Sequence, residues 1–423
     1  MPFLDELRWR GFLDAVTSDD LDAYLAAGRR TMYVGFDPTA DSLHLGSLIP
    51  VMGLAHAQRQ GHRPLVLVGG GTGLIGDPSG KATERTLLTK EKTQENAAAI
   101  RAQLSRFFDL SSDDRALLLN NVDWLAPLNL VDFLRDIGKH FSINEMIKRD
   151  SVRTRLEERD QGISYTEFSY MLLQAYDFLH LCRHHDCTIQ MGGSDQWGNI
   201  VAGKELIRRV LGQRGEGITF PLLTTSTGRK FGKTEEGAVW LDANRTSPYQ
   251  MYQYWLQTSD DDVVRYLKLF TFLDREPIAE LEQAVNGRPE KREAQRVLAA
   301  ECTAVVHGRE TIAAVEAVSR ILFSSSDEVP APATIDMLAR EMPVTGLLRS
   351  DLEARVPLVD LLIRTRLASS RGEARKLIEG GGVYVNNQRQ NEVQKSVSAG
   401  DLKWPGAILL RSGKKNYHLV RIE

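Results

Sequence analysis

The sequence predicts an α/β protein: a doubly wound parallel sheet, then an all-helical stretch, then a small α+β domain. Three observations carry this. Short apolar runs alternate with amphipathic stretches from Met32 to about Thr225, the pattern of a parallel sheet covered on both faces. After Trp240 the strand-like runs stop and capped helical patterns follow. From Val356 the charge changes sign, and a helix pair precedes several short strands.

The start of the chain, MPFLDELRWRGF, carries acids and lacks a long apolar run, so it does not read as a signal peptide. Nowhere do 18 apolar residues run together, so no membrane span is expected. Candidate strands are Met32–Phe36, Pro64–Gly69, Ala116–Asn120, Thr188–Gly192 and Phe220–Thr224. Helical patterns lie between them at Leu48–Gln60, Thr93–Phe108, Leu128–Lys139, Thr166–Leu181 and Ile200–Leu211. This is a Rossmann-like order, in which nucleotides sit at the carboxyl ends of the strands. Ser247-Pro248 then reads as an N-cap with proline at the first helical position. Ser259 with Asp260–Asp262 opens a second helix, with acids where the dipole favours them. Further helices are expected over Pro289–His307, stopped at Gly308, and over Thr311–Leu322.

The expected division is therefore a catalytic domain over 1–225, a signature loop and helical domain over 226–323, a linker over 324–355, and a terminal domain over 356–423. The linker reading rests on the turn-rich Ser324–Pro332. The terminal domain holds 5 Lys and 7 Arg against 2 Asp and 4 Glu, or +6, leaving −9 for the rest of a chain whose net charge is −3. A basic tail on an acidic body suggests a polyanion partner, although a solvated charged face produces the same balance. Three cysteines, Cys182, Cys187 and Cys302, make no disulfide framework and point to a reducing cytoplasm.

The first segment with chemistry runs from Tyr33 to Ser47, YVGFDPTADSLHLGS. A strand ends, Asp37-Pro38 turns the chain, and a helix is expected to start within His44–Ser47. Unpaired N–H groups at a helix start attract phosphate. Gly46 leaves room for a nucleotide close to the backbone. His44 and Thr39 are candidate donors to an oxygen that gains charge in a phosphoryl displacement. Alone, HxGS is as readily an ordinary helix start with a surface histidine. The second segment is Lys230-Phe-Gly-Lys233-Thr234. Two lysines three apart on a glycine-bearing loop are suited to closing over a triphosphate, while most such pairs are simply solvated.

A helix supplies the third signal. Tyr170, Gln174 and Asp177 fall at i, i+4 and i+7 and share one face of an otherwise apolar stretch. Buried polar groups need partners. An internal network would provide them, and so would a ligand with an ammonium and a phenol. Asp195 is suited to accepting from ribose hydroxyls, with Gly193 letting the backbone come close.

The paired signatures resemble those of class I aminoacyl-tRNA synthetases. Together with Gly35–Thr39, Gly73–Gly80 and Gly192–Asn199, the chain resembles the bacterial tyrosyl-tRNA synthetases over essentially its full length. The resemblance implies an enzyme that makes tyrosyl-adenylate from L-tyrosine and ATP, then esterifies the 3′ adenosine of tRNA(Tyr). It implies that Tyr33 and Asp177 hydrogen-bond the tyrosine hydroxyl. Tyr170, Gln174 and Asp77 would hold the α-amino group, with Gln196 near the carboxylate. Gly35, Asp37, Pro38, His44, Gly46, Ser47, Gly193, Asp195, Lys230 and Lys233 would form the ATP site.

Lys81 and Arg85, in the polar segment Asp77–Thr89 that reads as mobile, would close on pyrophosphate with the Lys230–Thr234 loop. The resemblance implies that no covalent intermediate forms on the protein, so catalysis would be positioning and charge stabilisation, with Mg²⁺ accompanying ATP and no protein-bound metal expected. Phenylalanine would leave Tyr33 and Asp177 unpaired, which a pocket sized by methylenes alone does not achieve. One departure stands out: Ser47 occupies the place of the family's second histidine. A serine hydroxyl is able to bond a ribose or cap the helix, so a modest shift in ATP affinity is expected.

A homodimer is implied as well, with 121–160 as the interface segment. Trp124, Leu128, Leu130, Phe133 and Leu134 supply its apolar surface, and the same residues fit a core. The terminal domain resembles an S4-type RNA-binding module. A helix bearing Arg371, Arg375 and Lys376, followed by Gly380-Gly-Gly, offers a cationic face to RNA phosphates.

Other readings are weaker. Gly71-Thr-Gly73-Leu-Ile-Gly76 matches a dinucleotide fingerprint literally, but Asp77-Pro-Ser-Gly80 follows where a helix should open. Cys182-Arg-His-His-Asp-Cys187 has metal-ligand residues without a second ligand pair. A synthetase core kept only for RNA binding is disfavoured by His44, Lys230, Lys233 and Asp177. Tryptophan as substrate is disfavoured by Tyr33 and Asp177.

Overall fold

The computed structural model describes residues 2–79, 87–149, 152–153, 156–157, 162–228, 230–234, 237–323 and 329–423. Two compact units emerge: Met1–Thr246 with Leu256–Val306, and Ser247–Trp255 with His307–Glu423. Among the described residues no helix is long and apolar enough to cross a membrane.

The first unit is built on a six-stranded sheet of β1 (Ala15–Val16), β2 (Thr31–Phe36), β3 (Arg63–Val68), β4 (Leu117–Asn120), β5 (Cys187–Gly193) and β6 (Glu216–Phe220). Its order is β1-β6-β5-β2-β3-β4, parallel throughout except for β1 against β6. The central strands are buried almost without interruption, as sheets covered on both faces require. Helices Leu48–Arg59, Lys90–Leu104, Tyr165–His185 and Trp197–Leu211 provide the connections and the cover. Strand order reverses between β2 and β5, so a crevice opens beyond the ends of those two strands.

Local chemistry sets the boundaries. Ser164 caps the long helix by accepting from the Glu167 N–H, and Asp186 ends it in the left-handed conformation. Thr89 and Asn129 cap the helices Lys90–Leu104 and Leu130–Asp136, fixing starts that periodicity alone misplaces by two or three residues. The last parallel strand is Glu216–Phe220, not Phe220–Thr224. Pro221 cannot donate to a ladder and ends it. Glu216 starts the strand while buried because Lys204 at 2.9 Å, Arg214 at 2.8 Å and Thr17 satisfy its carboxylate.

The helices expected as one domain over 226–323 divide between the two units. Asp260–Phe270 packs in the first. There the buried Arg10 guanidinium donates to the carbonyls of Lys268, Thr271 and Leu273 at 2.9, 3.0 and 2.8 Å, satisfying a helix end.

In the second unit, Ser247 and Gln250 form a reciprocal cap at the start of Pro248–Leu256. A five-stranded sheet runs in the order Gln388–Gln390, Val383–Val385, Ala407–Ser412, Asn416–Ile422, Val344–Leu347. The last of these lies inside the stretch expected as a linker, 324–355, which is a correction. That stretch also carries helices Pro332–Glu341 and Arg349–Glu353, and Leu338, Leu347 and Leu352 are core residues. Residues 324–328 lie outside the described residues.

Candidate active site

An open cavity of about 300 Å³ sits at the carboxyl ends of β2 and β5. Its lining includes Tyr33, Gly35, Asp37, Thr39, Ser47, Asp77, Tyr170, Gln174, Asp177, Gly193, Asp195 and Gln196. Tyr170, Gln174 and Asp177 reach it from one face of Tyr165–His185, as their spacing predicts. Pro38, His44, Gly46, Lys230, Lys233 and Thr234 are not part of this lining.

The inner end of the cavity is built around Asp177, 2% exposed. One carboxylate oxygen accepts from Trp124 Nε1 at 2.7 Å and the other from Asn121 Nδ2 at 2.8 Å. Burial still outweighs these donors and pushes the Asp177 carboxyl up to about 7. Beside it lies Tyr33, 1% exposed, whose buried hydroxyl has no hydrogen-bond partner among the described residues. Burial, reinforced by the Asp177 charge, pushes that phenol well above its ordinary range and keeps it protonated. An orphaned buried hydroxyl costs roughly 1–3 kcal/mol, so this end is set to receive a polar group from a ligand.

Toward the mouth the polar groups form a chain. Asn121 also donates to Thr72 Oγ1 at 2.9 Å, Thr72 donates to Asp37 at 2.7 Å, and Tyr170 donates to the other Asp37 oxygen at 2.8 Å. Burial first, then the charges of Asp37 and Asp77, pushes the Tyr170 phenol well up, so it remains a donor. Asp77 accepts from Gln196 at 2.6 Å, and Gln174 donates to Gln196 at 3.1 Å. Asn199 fixes both amides, donating to Gln174 Oε1 at 3.0 Å and Gln196 Oε1 at 3.2 Å. Two carboxylates, two amide oxygens and a phenol around one opening suit a cation and a neighbouring polar group.

The sequence pattern did not single out Asn121, Thr72 or Asn199, and it offered Trp124 only as interface or core. Thr72 sits in a glycine run that gives way to side chains. A Cβ at Gly70 or Gly71 would run into Asn120 or Leu125, and at Gly73 into Pro38. The Gly71–Gly76 fingerprint forms a single 3₁₀ turn, Thr72–Leu74, and the next described helix starts only at Lys90.

The two signature segments meet outside the cavity. His44 is extended and precedes a 3₁₀ turn, Leu45–Ser47; the α-helix starts at Leu48, where the helical pattern begins, so the start expected within His44–Ser47 is a 3₁₀ turn instead. Ser47 lines the cavity but makes no side-chain cap, so that part of its expected role is not seen. Gly232, at φ +74°, brings the second loop onto the first: a Cβ there would lie 3.2 Å from the Gly46 nitrogen. Val239 donates to the Gly232 carbonyl and accepts from the Leu45 N–H. Phe231 stacks on Phe270 with centroids 4.9 Å apart. Lys230, Lys233 and Thr234 are exposed. Asp195 folds its carboxylate over Gly193, where a Cβ would obstruct it. Lys81 and Arg85 lie outside the described residues.

On the second unit, Arg371, Arg375 and Lys376 are exposed on Arg371–Glu379. Arg371 pairs with Asp360 at 2.8 Å. Among the described residues no group of three His, Cys, Asp or Glu side chains could hold a metal.

A doubly wound sheet, a switch-point cavity and two converging signature loops define a class I aminoacyl-tRNA synthetase architecture. The family model for tRNA synthetases class I (W and Y) matches residues 26–324, and that for the tyrosine–tRNA ligase SYY-like C-terminal domain matches 335–420. A tyrosine–tRNA ligase of Roseiflexus castenholzii is 51% identical over 99% of both chains, and one of Bacillus caldotenax is 48% identical over the whole of both. A C-terminally truncated mitochondrial tyrosyl-tRNA synthetase of Aspergillus nidulans superposes with TM-score 0.69 at 34% identity, covering 76% of this chain and 94% of that one. The chain belongs to the tyrosine–tRNA ligase family.

Proposed function

We propose that this chain activates L-tyrosine with ATP to tyrosyl-adenylate and pyrophosphate, and then transfers the tyrosyl group to the 3′ adenosine of tRNA(Tyr). One observation carries the substrate assignment: the buried Tyr33 hydroxyl, without a hydrogen-bond partner among the described residues, beside the buried Asp177 carboxylate. A tyrosine hydroxyl donates to Asp177 and accepts from Tyr33. Phenylalanine leaves both unpaired. At the mouth, Asp77, Tyr170 and Gln174 receive the α-ammonium and Gln196 lies toward the carboxylate.

That carboxylate attacks the α-phosphorus of ATP, displacing pyrophosphate. Gly35, Asp37, Pro38, Gly46, Ser47, Gly193 and Asp195 contact the nucleotide, Asp195 by accepting from ribose hydroxyls. Thr39, His44, Lys230, Lys233 and Thr234 stabilise charge on the triphosphate, together with Lys81 and Arg85. No side chain needs to form a bond to substrate, so the rate comes from alignment and electrostatic stabilisation. Mg²⁺ brought in with ATP would supply charge neutralisation at the triphosphate beside His44, Lys230 and Lys233.

Arg375, Lys376 and Arg371 supply phosphate contacts to the tRNA. Two protomers pair through 121–160 and its neighbours, where Leu130, Val131, Ile143 and Tyr165 are 69, 70, 56 and 72% exposed. Three buried thiols fit a reducing cytoplasm.

Pyrophosphate exchange with tyrosine, phenylalanine and tryptophan side by side tests the assignment. Exchange with tyrosine alone is expected. No exchange, or equal exchange with tryptophan, overturns it.

A further inference from the structure

His44 is exposed, and an exposed imidazole ordinarily samples several rotamers. Here its two flanks are occupied. The ring folds back over Gly46, where a Cβ would sit 2.9 Å from Cε1 and 3.0 Å from Nδ1. On the other side Trp240 meets it edge to face, centroids 6.2 Å apart and planes at 66°. The backbones are tied as well. His44 and Trp240 form an antiparallel bridge, Leu45 N–H donates to Val239 O at 2.9 Å, and Leu241 N–H donates to Leu43 O at 2.8 Å.

Trp240 is held in turn. The Arg245 guanidinium carbon lies 3.3 Å from the indole centroid, and Arg245 reaches across to Asp41 at 2.6 Å. The backbone N–H of Trp240 donates to Thr246 Oγ1 at 3.0 Å. Asp41 stands three residues before His44, so the clamp closes on the loop it organises. Arg245 and Asp41 are 35% and 56% exposed, and an ion pair that exposed adds little to stability. Its consequence is geometric: it fixes the plane of the indole and hence the wall against which the imidazole rests.

We propose that Trp240, clamped by Arg245 and Asp41, is a positioning residue that fixes the imidazole of His44 for the triphosphate. The proposal rests on the reading of His44 as a donor to that group. A donor already aimed at the place where charge develops pays no reorganisation during the reaction. A free imidazole at the same backbone position would lose that advantage.

The test is pyrophosphate exchange by the full chain, with kcat, the tyrosine KM and Tm measured for Trp240→Phe and Arg245→Ala. Each is made in the wild-type and in the His44→Ala background. In the wild-type background Trp240→Phe is expected to lower kcat about tenfold and Arg245→Ala about threefold, with the tyrosine KM within about twofold. Both changes are expected to cost less than about twofold once His44 is gone, because positioning acts only through the group positioned. Equal losses in both backgrounds, or a tyrosine KM that rises with the fall in kcat, would show a structural role and overturn the proposal. A His44→Ala chain with unchanged kcat would instead remove the reading of His44 beneath it.

Discussion

At the inner end of the cavity Asp177 and Tyr33 are at most 2% exposed, and both Asp177 oxygens are already held by Asn121 and Trp124. Outside the cavity lining, at what we call the outer end of the site, His44, Lys230, Lys233 and Thr234 all face solvent; His44 precedes a 3₁₀ turn, and Lys233–Thr234 pairs with Gly237–Ala238 in a short hairpin. The inner groups come from a central strand and a long helix, the outer ones from a 3₁₀ turn and a short hairpin. A buried reader discriminates because whatever it fails to pair stays unpaired. An exposed grip cannot discriminate that way. It acts on charge, and its contribution appears when the triphosphate gains charge in the transition state. Substitutions at the two ends should therefore fail differently.

The largest effect belongs to the outer end. His44→Ala and Lys233→Ala are each expected to lower kcat for exchange by about 10²–10³-fold, the cost of a lost transition-state donor. Tyrosine affinity, measured without ATP, should not change. A parallel loss of tyrosine binding would erase the contrast between the ends.

Next comes Asp177→Asn. It removes a charged acceptor and should cut kcat/KM for tyrosine by about tenfold to a hundredfold while leaving the ATP KM alone. Steady-state kinetics with each substrate varied separates the two.

A pH profile sharpens the same point. The Asp177 carboxyl is pushed up to about 7 because burial outweighs its two donors. Tyrosine donates to the ionised form, so affinity should fall up to about tenfold per pH unit below 7 and level off above it. Stability runs the other way. The folded value lies above the ordinary 3.8, so stabilisation from this proton is complete below 3.8 and is lost as pH rises through about 7. Calorimetric tyrosine titrations from pH 5.5 to 8.5 check the binding limb, and Asp177→Asn should flatten it.

The smallest effect is expected at Ser47, which lines the cavity without capping the helix. Ser47→His should move the ATP KM by roughly two- to fivefold, about the worth of one net hydrogen bond. A hundredfold rise in activation rate would mean that the outer end is not yet complete as it stands.

What the sequence made legible follows the same division. The face shared by Tyr170, Gln174 and Asp177 was readable because helical spacing is local. The two signatures were readable because their residue types and spacing are specific as a pair. The supports of Asp177 were not, since Asn121 and Trp124 arrive from the cap and the body of a one-turn helix, Val122–Leu125, more than fifty residues upstream and too short to show a periodicity. Val344–Leu347 was hidden in a turn-rich stretch because its partner, Asn416–Ile422, lies some seventy residues on and local pattern does not encode parallel pairing. The contact of Gly232 with Gly46 depends on a positive φ that any glycine permits but none announces.

The most direct measurement is the ratio of kcat/KM for tyrosine to that for phenylalanine in Tyr33→Phe against the unaltered chain. The ratio should drop about tenfold, entirely through slower use of tyrosine, because only that substrate pairs with the missing hydroxyl. A ratio that stays put, or a drop shared by both amino acids, would place the choice of substrate elsewhere.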